Sequence, residues 1–192
     1  MVSSGFSTVR RDLVILLRFS GSRARDLANQ EACVRIGVFP GTFDPVTEGH
    51  LDIIRRSQKV LDRVVVAVAA AYHKKTLFDL EERKAMLQSS LSETEGVEVV
   101  SFDGLLIDFA KQHKASAIIR GLRFISDFEY EFQLALMNRR MNRDIETLFF
   151  MPSARFSYLN SSVIKEVVRL GGDVNGLVPD AVIQAMKDRF KS

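Results

Sequence analysis

From position 35 onward the chain alternates between two hydrophobic periods. Short apolar runs at 35–39, 63–69, 97–101, 117–119 and 147–151 have the length and β-branched content of strands covered on both faces. Between them, apolar residues recur every three or four positions, the spacing of amphipathic helices. Residues 49–61 put Leu51, Ile54 and Leu61 on one face, and 80–91 follows a good N-cap in Asp79. Residues 105–113 align Leu106, Phe109 and Ala110, and 127–141 align Phe128, Phe132, Ala135 and Leu136. Two more helices follow, at 162–170, closed by Gly171-Gly172, and at 179–190, opened by Pro179. Strands and helices alternating over short links predict right-handed βαβ crossovers. The expected fold is α/β: a Rossmann-like, doubly wound sheet of five parallel strands with C-terminal helices. Such sheets bind ligands beyond the carboxyl ends of their strands. That rule selects the loops after Phe39, Ala69, Ser101, Ile119 and Met151.

The first 34 residues do not share this rhythm. They are rich in Arg and Ser, and the apolar run 13–17 is cut by Arg18. Arg10-Arg11 faintly resembles a twin-arginine signal, but the run is too short and no A-x-A site follows. Residues 1–34 read as an N-terminal extension in the form of a flexible tail. A start codon placed upstream and an Arg/Ser-rich transit peptide are the alternatives. Residues 35–192 read as one domain.

Composition narrows the picture little: 46% hydrophobic and 27% charged residues over 192 positions suit an ordinary globular protein. The net charge of +3 is unevenly distributed, because residues 1–34 hold five basic and three acidic groups. The rest is nearly neutral and carries no recognised nucleic-acid motif, so no nucleic-acid partner is expected. The single cysteine, Cys33, rules out an intramolecular disulfide and fits a reducing, cytoplasmic compartment. Three histidines (His50, His73, His113) without metal-ligand spacing argue against a protein-ligated metal. No apolar run approaches the roughly 20 residues of a membrane span.

Candidate chemistry gathers in the selected loops. In the first, Gly41 lets backbone approach a ligand, the Thr42 hydroxyl can bond a phosphate, and His50 stands where a helix begins. Helix N-termini favour anions. Neither G-x-G-x-x-G nor G-x-x-x-x-G-K-[ST] is present, so the dinucleotide fingerprint and the P-loop are both absent. The second loop carries Tyr72-His73-Lys74-Lys75, where a lysine offers a mobile charge; a solvated turn is the alternative. The third gives Leu105-Leu106, either a ligand contact or packing. The fourth, Arg120-Gly121-Leu122-Arg123, matches guanidinium forks to phosphates, with an ion pair to Asp127 or Glu129 as the alternative. The last runs Phe156-Ser157-Tyr158-Leu159-Asn160-Ser161-Ser162. Its hydroxyls precede a helix, where one of them is expected to cap the N-terminus.

Together, Pro40-Gly41-Thr42-Phe43-Asp44-Pro45-x-Thr47-x-Gly49-His50, Lys74-Lys75, Ile119-Arg120-Gly121-Leu122-Arg123, Phe128-Glu129-Tyr130-Glu131 and Ser161-Ser162-x-x-Lys165-Glu166 resemble the bacterial phosphopantetheine adenylyltransferases. The resemblance covers about residues 35–190 and makes 35–192 a nucleotidyltransferase domain. It implies transfer of AMP from ATP to 4′-phosphopantetheine, giving dephospho-coenzyme A and pyrophosphate in coenzyme A biosynthesis. It implies Mg²⁺ held mainly through substrate phosphates, and a homohexamer. By position, Thr42, Lys74, Leu106 and Arg120 resemble the family's phosphopantetheine-binding residues. Thr42, Phe43, His50, Gly121, Leu122, Arg123, Glu131, Phe156, Ser157, Tyr158, Leu159, Asn160, Ser161 and Ser162 resemble its ATP-binding residues. Phe156 stands where the family often has tryptophan, and Asn160 where serine is frequent. The acceptor phosphate is already a nucleophile, so in-line attack on the α-phosphorus needs no covalent intermediate. His50, Lys74 and Arg123 would stabilise the developing charge. The rivals are a transferase on the same scaffold using nicotinate mononucleotide or glycerol phosphate, a noncatalytic nucleotide-binding regulator and, third, a nucleic-acid protein.

Overall fold

A computed structural model describes residues 34–70 and 75–191, with the backbone alone for Ile125 and Ser126. The expected extension, apart from Val34, lies outside the described residues. Five strands form one parallel sheet: β1 (Ile36–Gly41), β2 (Arg63–Ala69), β3 (Val97–Phe102), β4 (Ala117–Gly121) and β5 (Glu146–Phe150). Their order is β3-β2-β1-β4-β5, so the winding reverses between β1 and β4. The expected fold class is the observed one.

The helices are α1 (Glu48–Ser57), α2 (Leu80–Ser90), α3 (Leu106–Gln112), α4 (Ile125–Met141), α5 (Ser161–Arg169) and α6 (Asp180–Lys191), with a 3₁₀ turn at Ala154–Phe156. Alternation along β2 shows why a central parallel strand is apolar throughout. Val64, Val66 and Val68 enter a core with Leu51 and Ile54 of α1, Leu87 of α2, Ile164 of α5 and Met186 of α6. Val65 and Ala67 face the opposite core, with Ile107 and Ala110 of α3.

Several boundaries move for identifiable reasons. β1 and β4 run two residues past the apolar pattern, because Gly41 pairs with Val68 and Gly121 with Phe150. Arg120 and Gly121 are therefore strand residues. α1 stops at Ser57, and Leu61, expected on its face, is buried just beyond it. A Cβ on Gly37 would lie 2.4 Å from the Leu61 side chain, so this glycine makes room for Leu61 against β1. Asp79 caps α2 as expected, in a reciprocal capping box with Glu82. The helix at α4 forms, but its apolar positions stay partly exposed, with Phe128 and Phe132 stacked on each other. Phe128, Phe132 and Leu136 are 45%, 45% and 53% exposed. Among the described residues no helix is long and apolar enough to cross a membrane.

Candidate functional site

A cavity of about 830 Å³ opens at the carboxyl ends of the strands, lined by the segments that follow β1 and β4. This is the switch point, where loops from neighbouring strands diverge and leave a crevice.

After β1 the backbone turns sharply. Phe43 has a φ of +50°, unusual for an aromatic residue, and its ring meets that of His50 edge-on with centroids 5.1 Å apart. Thr47 then caps α1, its Oγ1 accepting from the His50 N–H. His50 returns the contact: its Nδ1 accepts the Thr47 backbone N–H at 3.0 Å. An N–H can only donate, so Nδ1 carries no proton and the neutral ring holds its proton on Nε2. Burial, assisted by the charge of Arg123, lowers the imidazole pKa to about 4. His50 thus lines the cavity as a neutral Nε2–H donor on the first turn of a helix.

Asp44 is buried and holds two distant segments. Its carboxylate accepts the backbone N–H groups of Leu77 (3.0 Å) and Phe78 (3.0 Å) and pairs with Lys165 of α5. Arg83 of α2 is 1% exposed, and its guanidinium donates to the carbonyls of Thr42 (2.7 Å), Ala69 (2.8 Å), Phe78 (3.2 Å) and Asp79 (3.1 Å). Burial lowers its pKa, against the opposing charges of Asp44 and Asp79.

Lys74, with Tyr72 and His73, lies outside the described residues. The next residue, Lys75, is exposed and lines the cavity with Thr76. Phe102, the last residue of β3, and Leu106 at the start of α3 line the same space. A smaller cavity of about 240 Å³ shares Leu106, Arg120, Glu131 and Leu134 with the first and adds Leu105, Met137 and Met141. A polar chamber thus has an apolar neighbour.

On β4, Arg120 forms a two-pronged ion pair with Glu131 of α4. Gly121 lines the cavity where a Cβ would come within 2.6 Å of Ile53, so α1 can lie close to the strand end. Arg123 donates to Asp127 at 3.2 Å and to the Leu159 carbonyl at 3.0 Å. One of the expected alternatives, an ion pair with Asp127, is therefore present, while Arg123 still lines the cavity.

The loop after β5 is fastened to α1. Asp52 accepts from the Ser153 N–H (2.9 Å) and hydroxyl, and Arg56 donates to the Met151 carbonyl. Burial raises the Asp52 pKa, but the Ser153 bonds and the Arg56 charge outweigh it and hold the carboxyl below its usual range. At α5 a hydroxyl was expected to cap. Instead Asn160 does so, accepting the Ser162 N–H at 2.9 Å, because its side chain reaches two residues on. Ser161 donates its hydroxyl to the Pro45 carbonyl.

The cavity brings together Thr42, Phe43, His50, Leu106, Arg120, Gly121, Arg123 and Glu131 with Phe156, Leu159, Asn160, Ser161 and Ser162. Leu122, Ser157 and Tyr158 do not line it. The Leu122 N–H extends the sheet to the Phe150 carbonyl, the Ser157 hydroxyl turns back to Ala154, and Tyr158 is 58% exposed. Sequence reasoning gave no role to Asp44, Arg83 or Lys165. Among the described residues, the cavity's charged lining is Lys75, Arg120, Arg123 and Lys165 against Asp44 and Glu131, a net positive surface suited to phosphates.

The cytidylyltransferase-like family profile matches residues 38–167. The chain is 51% identical over 157 residues to the phosphopantetheine adenylyltransferase of Desulfosudis oleivorans, covering 82% of this chain and 94% of that one. It is 51% identical to that of Moorella thermoacetica, covering 82% and 98%. Among solved structures, it superposes with a TM-score of 0.62 on a bifunctional NMN adenylyltransferase/ADP ribose pyrophosphatase from Francisella tularensis. There the identity is 15%, over 82% of this chain and 51% of that longer one. A putative nicotinate-nucleotide adenylyltransferase from Vibrio parahaemolyticus gives 0.58 at 13% identity, over 79% and 97%. At such identities the likeness is one of fold.

Proposed function

This chain belongs to the phosphopantetheine adenylyltransferases, and from that premise we infer that it works by holding phosphates rather than by covalent or acid–base chemistry. The reaction is transfer of the adenylyl group of ATP to 4′-phosphopantetheine, giving dephospho-coenzyme A and pyrophosphate in coenzyme A biosynthesis. A phosphate oxygen of the acceptor attacks the α-phosphorus of ATP in line, and the bond to the bridging oxygen of pyrophosphate breaks. No proton has to move and no enzyme bond has to form.

Each residue role follows from its type. His50 donates its Nε2–H to an oxygen of the transferring phosphoryl group. Arg123 and Lys74 add positive charge there. Thr42 and Arg120 hold the acceptor phosphate, and the apolar surface around Leu106 takes the pantetheine arm. Phe43, Gly121, Glu131 and the 156–162 segment surround the nucleotide, with Leu122, Ser157 and Tyr158 at its margin. The observation that carries this reading is the neutral His50 fixed by its Nδ1 contact inside a net cationic cavity.

The residues present fit a metal ion that arrives with its ligands. Among the described residues, the two carboxylates that line the cavity are committed, Asp44 to Lys165 and Glu131 to Arg120, so Mg²⁺ would be held by the nucleotide phosphates. When bound, it would neutralise phosphate charge. The family resemblance also implies a homohexamer, and the exposed Phe128, Phe132 and Leu136 of α4 supply apolar surface for a second copy. The single cysteine supports a cytoplasmic setting.

Pyrophosphate release from ATP, with and without Mg²⁺, tests this when phosphopantetheine, nicotinate mononucleotide and glycerol phosphate are compared as acceptors. Only phosphopantetheine should release it, and only with Mg²⁺. Release with either other acceptor alone would overturn the assignment. Light scattering on the same sample reads the oligomer.

A further inference from the structure

Among the described residues, the buried guanidinium of Arg83 meets no carboxylate within hydrogen-bonding distance. It spends its donors on four backbone carbonyls, and those four belong to three separate stretches of chain. Thr42 lies in the turn after β1. Ala69 is the last residue of β2. Phe78 and Asp79 end the segment that begins with the cavity residues Lys75 and Thr76. A single Nη1 nitrogen bonds both Thr42 and Ala69, so the ends of two adjacent strands are pinned to one atom.

A salt bridge would have stabilised the cation more simply. Leaving a charge at 1% exposure with carbonyls alone carries a desolvation cost, visible in its lowered pKa. An apolar side chain could fill the volume but could not join the loops. We propose that Arg83 is a positioning residue: it sets the separation between Thr42 and the Lys75–Thr76 wall, and thereby the seat of the acceptor phosphate. Its positive charge, behind that wall, reinforces the phosphate-attracting field.

This proposal rests on Thr42 holding the acceptor phosphate, as read above. Thr42 serves both substrates, whereas the Lys75–Thr76 wall, which follows Lys74 in the sequence, is assigned to the acceptor. A disturbed Arg83 therefore weakens acceptor binding more than ATP binding. Geometry, not fold, is the quantity that moves. Misplacement by about 1 Å can cost on the order of 10²-fold in rate.

The test uses full-length Arg83→Lys and Arg83→Met, with thermal melts to confirm folding. Lysine keeps the charge and can satisfy some carbonyls, but its single nitrogen cannot span all three stretches. Should the methionine variant not fold, the lysine variant decides alone. For folded Arg83→Lys, KM for the acceptor is expected to rise about tenfold, with KM for ATP changing roughly twofold or less and kcat falling. A purely structural arginine would lower the folded fraction and move neither KM. Unchanged constants, or a larger change for ATP than for the acceptor, would overturn the proposal. The constants are taken with whichever acceptor the wild-type protein uses in the pyrophosphate assay, so a wrong acceptor assignment shows in the wild type and a wrong role for Arg83 only in the variants.

Discussion

Replacing His50 with alanine lowers kcat by about 10²–10³, the usual cost of removing one preorganised donor to a developing oxyanion. KM values change less, because the interaction strengthens as charge moves onto the phosphoryl oxygens. The structural cost is small, of the order of 1 kcal/mol, since only one half of a capping box is lost. Two further variants separate cap from chemistry. Glutamine and glutamate both accept the Thr47 N–H as His50 Nδ1 does, so both preserve the helix start. Glutamine offers an amide donor to the phosphate and should recover part of the lost rate. Glutamate offers a negative charge and should be no better than alanine. Steady-state kinetics on the three variants decide it. A His50→Glu enzyme with near wild-type kcat would remove His50 from phosphoryl stabilisation.

Asp44→Ala should destabilise the fold by about 3 kcal/mol, at the lower end for a buried ion pair broken on one side, because Lys165 keeps some access to water. The loss has two parts. Lys165 is left without its carboxylate, and the N–H groups of Leu77 and Phe78 lose their acceptor. For a chain of this size that corresponds to a fall in Tm of roughly 6–12 °C, measured at fixed protein concentration. Asp44→Asn retains an acceptor for the backbone and loses only the charge, so its Tm should lie between alanine and wild type. An alanine variant melting within about 2 °C of wild type would show that the Asp44–Lys165 link contributes nothing measurable.

These two residues also mark what could be read along the chain and what could not. The unbroken apolar run Val64–Ala69 announces a doubly covered central strand, and the structure has it at those residues. The ends of β1 and β4 were legible only to within two residues, because a strand continues as long as its neighbour supplies hydrogen bonds. Gly41 and Gly121 have no apolar signal of their own. α4 was legible as a helix but not by the fate of its apolar face, which depends on what lies beside it. His50 was legible as a residue at a helix start. Its protonation state was not, although Thr47-x-x-His50 carries a hint, a capping-box spacing with imidazole in place of carboxylate. Arg83, within Leu80-Glu81-Glu82-Arg83, looks like one more charge on a solvated helix face. Only the meeting of its own helix start with the ends of two strands reveals it. Asp44 and Lys165 lie 121 residues apart, beyond any local pattern.

The mechanism depends most on His50 acting as a neutral donor rather than a base. Its folded pKa of about 4 lies below the ordinary 6.5. The unfolded chain therefore binds the proton more readily, and the group's contribution to stability is complete above about pH 6.5 and lost as pH falls through 4. Nitrogen-15 NMR of the imidazole in the substrate-free protein, from pH 8 to the acid limit of folding, reads both the charge and the tautomer. The expected result is a ring protonated on Nε2 alone and unchanged down to about pH 5, with titration near 4. A midpoint near 6.5, or a proton on Nδ1, would contradict it.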